Sequence, residues 1–252
     1  MIDTETKRKL RTLGISEMVD IIETMEKDPS YTNLTFDERM KMIVDYVAQE
    51  KENASVKRLL SRAHLRIRHA DISNIIYEGR PLTRDAIGVI GTCQFVDTST
   101  DIIIEGFTGT GKSHLACAIG KQACKHSLST LYMRMPDLLM TREDELQKGS
   151  TESRLLKKLS RYKVLVIDEW LIDSLDTDQM RFMLELTERR HDSSSTVFCS
   201  QYKVEDWHGR LGGGVHADAI MDRIVHNAIT IKTGDVNMRE LVSRSEVAAK
   251  HR

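Results

Sequence analysis

Residues Gly106-Phe107-Thr108-Gly109-Thr110-Gly111-Lys112-Ser113 match the pattern G-x-x-x-x-G-K-[ST] in full. An apolar run at 102–104 precedes them, and a predicted helix over 114–126 follows them. A strand, a glycine-rich loop and a helix in this order are typical of a P-loop, in which successive backbone N–H groups point at phosphate oxygens. The start of the helix adds a partial positive charge at the same place. The segment therefore predicts a binding site for a nucleoside triphosphate.

Two side chains of this loop have separate predicted roles. Lys112 supplies a full positive charge to the β and γ phosphates, and the Ser113 hydroxyl coordinates Mg²⁺. The predicted nucleotide contacts are Gly106, Phe107, Thr108, Gly109, Thr110, Gly111, Lys112, Ser113 and His114.

Short apolar runs alternate with helical patterns from about residue 100 onward. Continuous apolar runs, rather than alternating ones, indicate a parallel sheet that is covered on both faces. The predicted fold class is therefore α/β: a P-loop NTPase with a parallel sheet and helices on both faces, preceded by a small all-helical domain. The predicted strands cover residues 102–105, 130–133, 164–167, 196–199 and 229–231.

Two adjacent acids, Asp168 and Glu169, end the third of these strands. In a buried parallel strand, acids belong at the carboxyl end, which is also where ligands bind in open α/β sheets. We expect Asp168 to hold Mg²⁺ and Glu169 to orient and deprotonate the attacking water. The alternative is a pair of acids that simply faces solvent. A catalytic Glu directly after the metal-binding Asp separates this chain from signalling GTPases and small-molecule kinases.

The next strand ends in Ser200-Gln201. A polar side chain at this position would lie between the Mg²⁺ site and the γ-phosphate and could report hydrolysis. The alternative is an ordinary turn residue at the end of a strand. The sequence favours Ser200 over Gln201 as the reporting residue.

The composition excludes several classes of protein. Lys and Arg number 37 against 38 for Asp and Glu, so the chain is not a bulk polycation that coats nucleic acid. No apolar run approaches the roughly 18 residues of a transmembrane helix, and we see no signal peptide. We expect a cytoplasmic protein with no membrane partner. Its four cysteines lack disulfide or zinc spacing and are expected to be reduced: Cys93, Cys117, Cys124 and Cys199.

The first 70 residues show helical spacing of apolar residues, with Thr35 and Glu38 placed as a capping box. We predict a helical DNA-binding domain over 1–70, a connector over 71–98 and an ATPase core over 99–252. The stretch 57–69 is predicted to be a helix without acids, so its basic residues could contact DNA phosphates. The alternative is a solvated helix face. The candidate DNA contacts are Lys57, Arg58, Arg62, Arg66 and Arg68.

Taken together, these residues resemble the IstB-like ATPases, helper proteins of certain insertion-sequence transposition systems. This family belongs to the AAA+ class and is close to the DnaC-type helicase loaders. The resemblance covers nearly the whole chain. The matching pieces are Leu10-Arg11-Thr12-Leu13-Gly14-Ile15, Ser61-Arg62-Ala63-His64, Gly109-Thr110-Gly111-Lys112-Ser113-His114-Leu115-Ala116, Val166-Ile167-Asp168-Glu169, Ser200-Gln201, Trp207-His208 and Ala219-Ile220-Met221-Asp222-Arg223.

The resemblance implies a function that the motifs alone do not. It implies ATP and Mg²⁺ as cofactors, a homo-oligomer on duplex DNA, and a transposase as partner, or alternatively a replicative helicase. Arg223 looks like an arginine finger that reaches a neighbouring subunit, and Arg239 looks like a second trans or sensor arginine. Taken alone, each of these is a surface arginine. We expect no full helical lid, because 21 residues follow the last predicted strand. A metabolic P-loop kinase would leave the basic helix unexplained.

Overall fold

The computed structural model describes residues 2–238, 240 and 241. The chain forms two compact units, Met1–Arg58 and Leu59–Arg252. Among the described residues, no helix combines the length and the apolar character needed to cross a membrane.

The first unit is helical, as the sequence predicts. It contains α1 (Thr4–Thr12), α2 (Glu17–Lys27) and most of α3 (Phe36–Arg62). Gly14 adopts a positive φ of 70° between α1 and α2, which separates the two helices. The predicted capping box is confirmed, because the Glu38 N–H donates to Thr35 Oγ1 at 3.3 Å and the Thr35 N–H donates to Glu38 Oε2 at 2.8 Å.

Within the described residues, the second unit contains a sheet of five parallel strands in the order β2-β3-β4-β1-β5. Each strand lies within one residue of its predicted bounds, so the predicted sheet is confirmed. The strands are β1 (Asp101–Glu105), β2 (Thr130–Arg134), β3 (Val164–Asp168), β4 (Ser195–Ser200) and β5 (Ala228–Lys232).

Helices cover both faces of this sheet. Alternate residues of one strand enter different apolar clusters, since Ile102 and Ile104 pack on one face while Ile103 packs on the other. All three side chains are fully buried. The helices are α4 (Arg84–Gly91), α5 (Gln94–Asp97), α6 (Lys112–Lys125), α7 (Met135–Gln147), α8 (Glu152–Leu159), α9 (Thr177–Arg190), α10 (Val204–Arg210) and α11 (Gly214–Val225).

The segment after α3 departs from the sequence-based prediction. The helix ends at Arg62 instead of continuing to 69, and His64 adopts a positive φ of 51°. The Ala63 carbonyl accepts a hydrogen bond from the Tyr132 N–H of β2 at 2.8 Å. The segment therefore follows the edge of the sheet, and Arg66 and Arg68 do not lie on the same helix as Arg62.

Residues 71–98, predicted to be a connector, are part of the core of the second unit. Leu82, Ile87 and Ile90 are buried in the same apolar cluster as α6 and β1. The division between the units lies at Arg58–Leu59 and not near residue 70. Ile87 and Ile90 lie three residues apart on α4, so this short helix presents one apolar face to the core.

Candidate active site

A pocket of about 660 Å³ lies at the carboxyl end of the sheet, between the loop that precedes α6 and the end of β3. Two motifs that are separate in the sequence therefore meet in one place. The lining includes Thr108, Gly109, Gly111, Lys112, Ser113 and His114 from the predicted nucleotide contacts, together with Asp168 and Glu169.

The backbone of the loop requires glycine at two positions. A Cβ on Gly106 would lie 2.1 Å from Thr233 Oγ1, which is closer than any real contact. Thr233 Oγ1 in turn lies 2.7 Å from Thr110 Oγ1, a buried contact beneath the loop. Gly111 adopts a positive φ of 87° at the start of α6. Gly106, Phe107 and Thr110 are not among the lining residues of the pocket; Gly106 and Thr110 contact Thr233 beneath the loop, and the Phe107 side chain is exposed.

The Lys112 ammonium is held inside the loop. Its Nζ donates to the carbonyl oxygens of Gly106 at 2.6 Å and of Phe107 at 2.9 Å. Burial lowers the pKa of Lys112, while the nearby Asp168 opposes this shift. A desolvated positive charge at the centre of a glycine-rich loop is suited to binding phosphate.

The Asp168 carboxylate is 2% exposed and is held on both oxygens. The Tyr132 hydroxyl donates to Oδ2 at 2.6 Å, and the Glu169 N–H donates to Oδ1 at 2.9 Å. Burial, followed by the negative charge of Asp168, raises the pKa of Tyr132, so its phenol stays a donor. Ser113 and Asp168 offer the hydroxyl and carboxylate oxygens that Mg²⁺ prefers, so the donor set fits this ion. Nothing in the sequence identifies Tyr132 as part of the site.

Two arginines contact the Glu169 carboxylate. Arg66 Nη1 lies 3.4 Å from Oε1, and Arg134 Nη1 lies 3.6 Å from Oε2. Glu169 itself has a positive φ of 58° directly after β3. Arg66, which the sequence predicts as a DNA contact, is therefore part of the pocket.

The structure places Gln201, and not Ser200, among the lining residues of the pocket. The Ser200 side chain is fully buried, donates to the Trp170 carbonyl at 3.0 Å and is not among the lining residues of the pocket. Gln201 lines the pocket, and its Oε1 accepts a hydrogen bond from Thr108 Oγ1 at 3.1 Å. The residue after the strand, rather than its last residue, is the one that reaches the loop.

The arginines predicted to act between subunits lie elsewhere. Arg223 is on α11 and forms an ion pair with Glu188 of α9. It is not among the lining residues of the pocket. Its role toward a neighbouring subunit stays a prediction. Arg239 lies outside the described residues.

The remaining candidate DNA contacts are solvent-exposed. Lys57, Arg58 and Arg62 lie in the last turns of α3, and Arg68 lies in the segment after it. The structure thus leaves them accessible, and their contact with DNA stays a prediction.

The sequence-based reasoning also missed one wall of the pocket. It is formed by the segment 66–80, which includes Ile75, Ile76 and Arg80. Arg80 Nη2 donates to the Thr110 carbonyl at 2.7 Å and so ties this segment to the loop. His69 approaches His114, with ring centroids 6.0 Å apart. No sequence motif identifies this segment, because its residues reach the pocket through contacts with residues that are distant in sequence.

Comparison with known proteins agrees with this geometry. The family model for IstB-like ATP binding proteins matches residues 8–246. An insertion sequence ATP-binding protein of Sinorhizobium fredii is 31% identical over 250 residues, which cover 98% of this chain and 99% of the relative. The replicative helicase loader DnaC of Escherichia coli is 26% identical over 193 residues, covering 70% of this chain and 73% of the loader.

A solved structure, AMPPCP-bound DnaA from Aquifex aeolicus, superposes with a TM-score of 0.56. It is 19% identical, and the match covers 71% of this chain and 55% of DnaA. This likeness concerns the fold alone. The chain belongs to the IstB-like ATP binding protein family and has a P-loop fold of the AAA+ type.

Proposed function

We propose that this chain binds ATP with Mg²⁺, assembles on duplex DNA and regulates insertion-sequence transposition through a partner transposase. The observation that supports this most is the shared pocket of Lys112, Ser113, Asp168 and Glu169. Membership of the IstB-like family and similarity to an insertion sequence ATP-binding protein support the link to transposition.

In this proposal the loop exchanges internal contacts for contacts with ATP. The Lys112 ammonium leaves the carbonyls of Gly106 and Phe107 and donates to phosphate oxygens. Bound Mg²⁺ would neutralise charge on the β and γ phosphates, with Ser113 and Asp168 as its protein oxygens. Glu169 accepts a proton from the attacking water. Gln201 would respond to the γ-phosphate through its hydrogen bond with Thr108 of the loop.

The proposed DNA contacts are electrostatic. The exposed side chains of Lys57, Arg58 and Arg62 can donate to phosphates, and the stretch 57–69 contains no acid to oppose them. Contacts of this kind position a protein without reading the base sequence. We therefore expect a steep fall of affinity with salt and weak base specificity.

A second function is supported by one observation, the similarity to the replicative helicase loader DnaC. A loader would use the same nucleotide site, so the pocket does not separate the two functions. A loader should bind a replicative helicase and prefer single-stranded DNA. A transposition regulator should oligomerise on duplex DNA.

Electron microscopy of the protein with duplex DNA, once with ATP and once with ADP, tests the proposal. We expect ordered oligomers with ATP and their loss with ADP, and Glu169→Gln should stabilise them because it binds ATP without turnover. Assembly with a helicase on single strands, and none on duplex DNA, would favour the loader instead. Absence of Mg-ATP binding in calorimetry of the folded protein would exclude both functions.

A further inference from the structure

Arg80 connects three backbone segments at the edge of the pocket. Its Nη2 donates to the Thr110 carbonyl of the P-loop at 2.7 Å, and its Nη1 donates to the Ile76 carbonyl of the pocket wall at 2.9 Å. Its Nε donates to the Thr233 carbonyl, directly after β5, at 3.3 Å. Because the guanidinium is planar and rigid, these donors have fixed directions relative to one another. One side chain therefore restrains the loop, the pocket wall and the segment after β5 together.

The hydrogen bond to Thr110 determines which way one peptide of the loop points. The peptide between Thr110 and Gly111 is planar and trans, so its carbonyl and its N–H point in opposite directions. With the carbonyl turned toward Arg80, the Gly111 N–H at the start of α6 points away from the guanidinium. N–H groups at the start of a helix are suited to binding phosphate. The opposite orientation would turn a carbonyl oxygen, which repels phosphate, toward the anion.

The Arg80 side chain and its backbone are both held in place. A Cβ added to Gly111 would lie 3.5 Å from Arg80 Nη2, so the guanidinium packs directly against the loop. The Arg80 N–H donates to the Tyr77 carbonyl at 3.1 Å. The next residue, Pro81, packs on Gly234, where an added Cβ would lie 2.7 Å from Pro81 Cδ. Arg80 is thus anchored well enough to restrain the loop peptide.

The side chain of Thr110 has a separate restraint beneath the loop. Thr233 is fully buried, its Oγ1 donates to the Glu105 carbonyl at 3.1 Å, and the same oxygen lies 2.7 Å from Thr110 Oγ1. This contact fixes the Thr110 side chain and leaves the following peptide free to rotate about its own bond to the Thr110 Cα. The hydrogen bond from Arg80 supplies the restraint on that peptide.

We propose that Arg80 is a positioning residue for phosphate binding, which holds the Thr110–Gly111 peptide so that the Gly111 N–H faces a phosphate of the bound nucleotide. The proposal rests on the proposed function, in which the P-loop binds ATP. Since the peptide is held in this orientation before ATP binds, binding does not have to reorient it. Arg80 acts on the phosphates and not on the attacking water, so its loss should raise KM and leave kcat nearly unchanged.

The test measures Kd for Mg-ATP by calorimetry, and kcat and KM for ATP, in the full-length protein. Arg80→Gln should raise Kd and KM roughly tenfold to a hundredfold, the contribution of one hydrogen bond to a charged group, and change kcat less than about threefold. Arg80→Lys keeps the positive charge but lacks the rigid fork that reaches three carbonyls, so it should not restore wild-type affinity. Arg84→Gln is the matched control and should bind ATP as the wild type does, because Arg84 is exposed and lies over the Tyr77 ring.

Three results would overturn the inference and leave the proposed function intact, because ATP would still bind through Lys112 and Ser113. The first is wild-type Kd and KM in Arg80→Gln. The second is full recovery in Arg80→Lys, which would show that positive charge alone is sufficient. The third is a fall in kcat at unchanged KM, or loss of cooperative thermal unfolding in both variants, which would show that Arg80 only supports the fold. Absence of Mg-ATP binding by the wild-type protein would instead exclude the proposed function, and this inference with it.

Discussion

Replacing Tyr132 with Phe removes the hydroxyl that donates to Asp168 Oδ2 at 2.6 Å and changes little else, because the ring keeps its shape. Tyr132 is 6% exposed and Asp168 is 2% exposed, so water cannot readily replace the lost donor. In the variant, Asp168 Oδ1 still accepts the hydrogen bond from the Glu169 N–H, but Oδ2 loses the hydrogen bond from the Tyr132 hydroxyl. We expect the folded state to be destabilised.

The magnitude follows from the type of bond. A hydrogen bond to a charged group contributes about 1.5–3 kcal/mol to stability. For a folded unit of this size, 1 kcal/mol lowers the melting temperature by about 2–4 °C, so Tyr132→Phe should melt roughly 3–12 °C below the wild type. Differential scanning calorimetry without nucleotide measures the melting temperature, and urea unfolding measures the free energy of unfolding.

Tyr77→Phe is the control for the loss of a hydroxyl. Among the described residues, the Tyr77 hydroxyl makes no hydrogen bond, and the ring keeps Arg84 above it at 4.9 Å in both forms. Its free energy of unfolding should change by less than about 0.5 kcal/mol. If the free energy of unfolding falls equally in the two variants, the reasoning is refuted. That result would show that the hydrogen bond from the Tyr132 hydroxyl to Asp168 does not stabilise the folded state.

Four further variants test other parts of the structure. Gly106→Ala should weaken ATP binding at least tenfold in calorimetry, because its Cβ would lie 2.1 Å from a threonine oxygen, while Gly88→Ala, with open space around it, should bind normally. Gln201→Ala should lower kcat about 10²-fold with ATP affinity retained; unchanged kcat would remove its sensing role. Arg223→Ala should bind ATP normally yet lose roughly 10³-fold or more of DNA-stimulated hydrolysis. Burial raises the pKa of Asp101 from 3.8 to about 7, so the folded state holds a proton that the unfolded state releases above pH 4 or so. Stability should therefore fall as pH rises from about 4 to about 7, and Asp101→Asn should flatten that slope in urea unfolding.

Features that depend on neighbouring residues were predictable from the sequence. The five strands lie within one residue of their predicted bounds, since an apolar run between turn residues is a local signal. The capping box of Thr35 and Glu38 spans three residues and formed as expected. The P-loop sequence was recognisable for the same reason, because its motif is a run of eight residues, within which Lys112 donates to the carbonyls of Gly106 and Phe107.

The reading of residues 57–69 as one helix was wrong for a physical reason. The helical spacing of apolar residues continues past Arg62. However, the Ala63 carbonyl accepts a hydrogen bond from the N–H of Tyr132, which is 69 residues later in the sequence, and Leu65 packs in a buried position against α6. These tertiary contacts outweigh local helix preference. Successive side chains of a strand point to opposite faces, so Cys199 of β4 lines the pocket and Ser200 does not; the Ser200 hydroxyl donates to the Trp170 carbonyl instead.

The amino-acid order alone was enough to specify the phosphate loop, the acids at the end of β3 and the five strands of the sheet, because each is encoded in a short run of residues. The residues that surround those acids are decided by the tertiary structure, which brings together segments that are far apart in sequence. Tyr132 meets Asp168 across 36 residues, and Arg66 meets Glu169 across 103. No local pattern carries such pairings, since they depend on which segments the apolar core brings side by side.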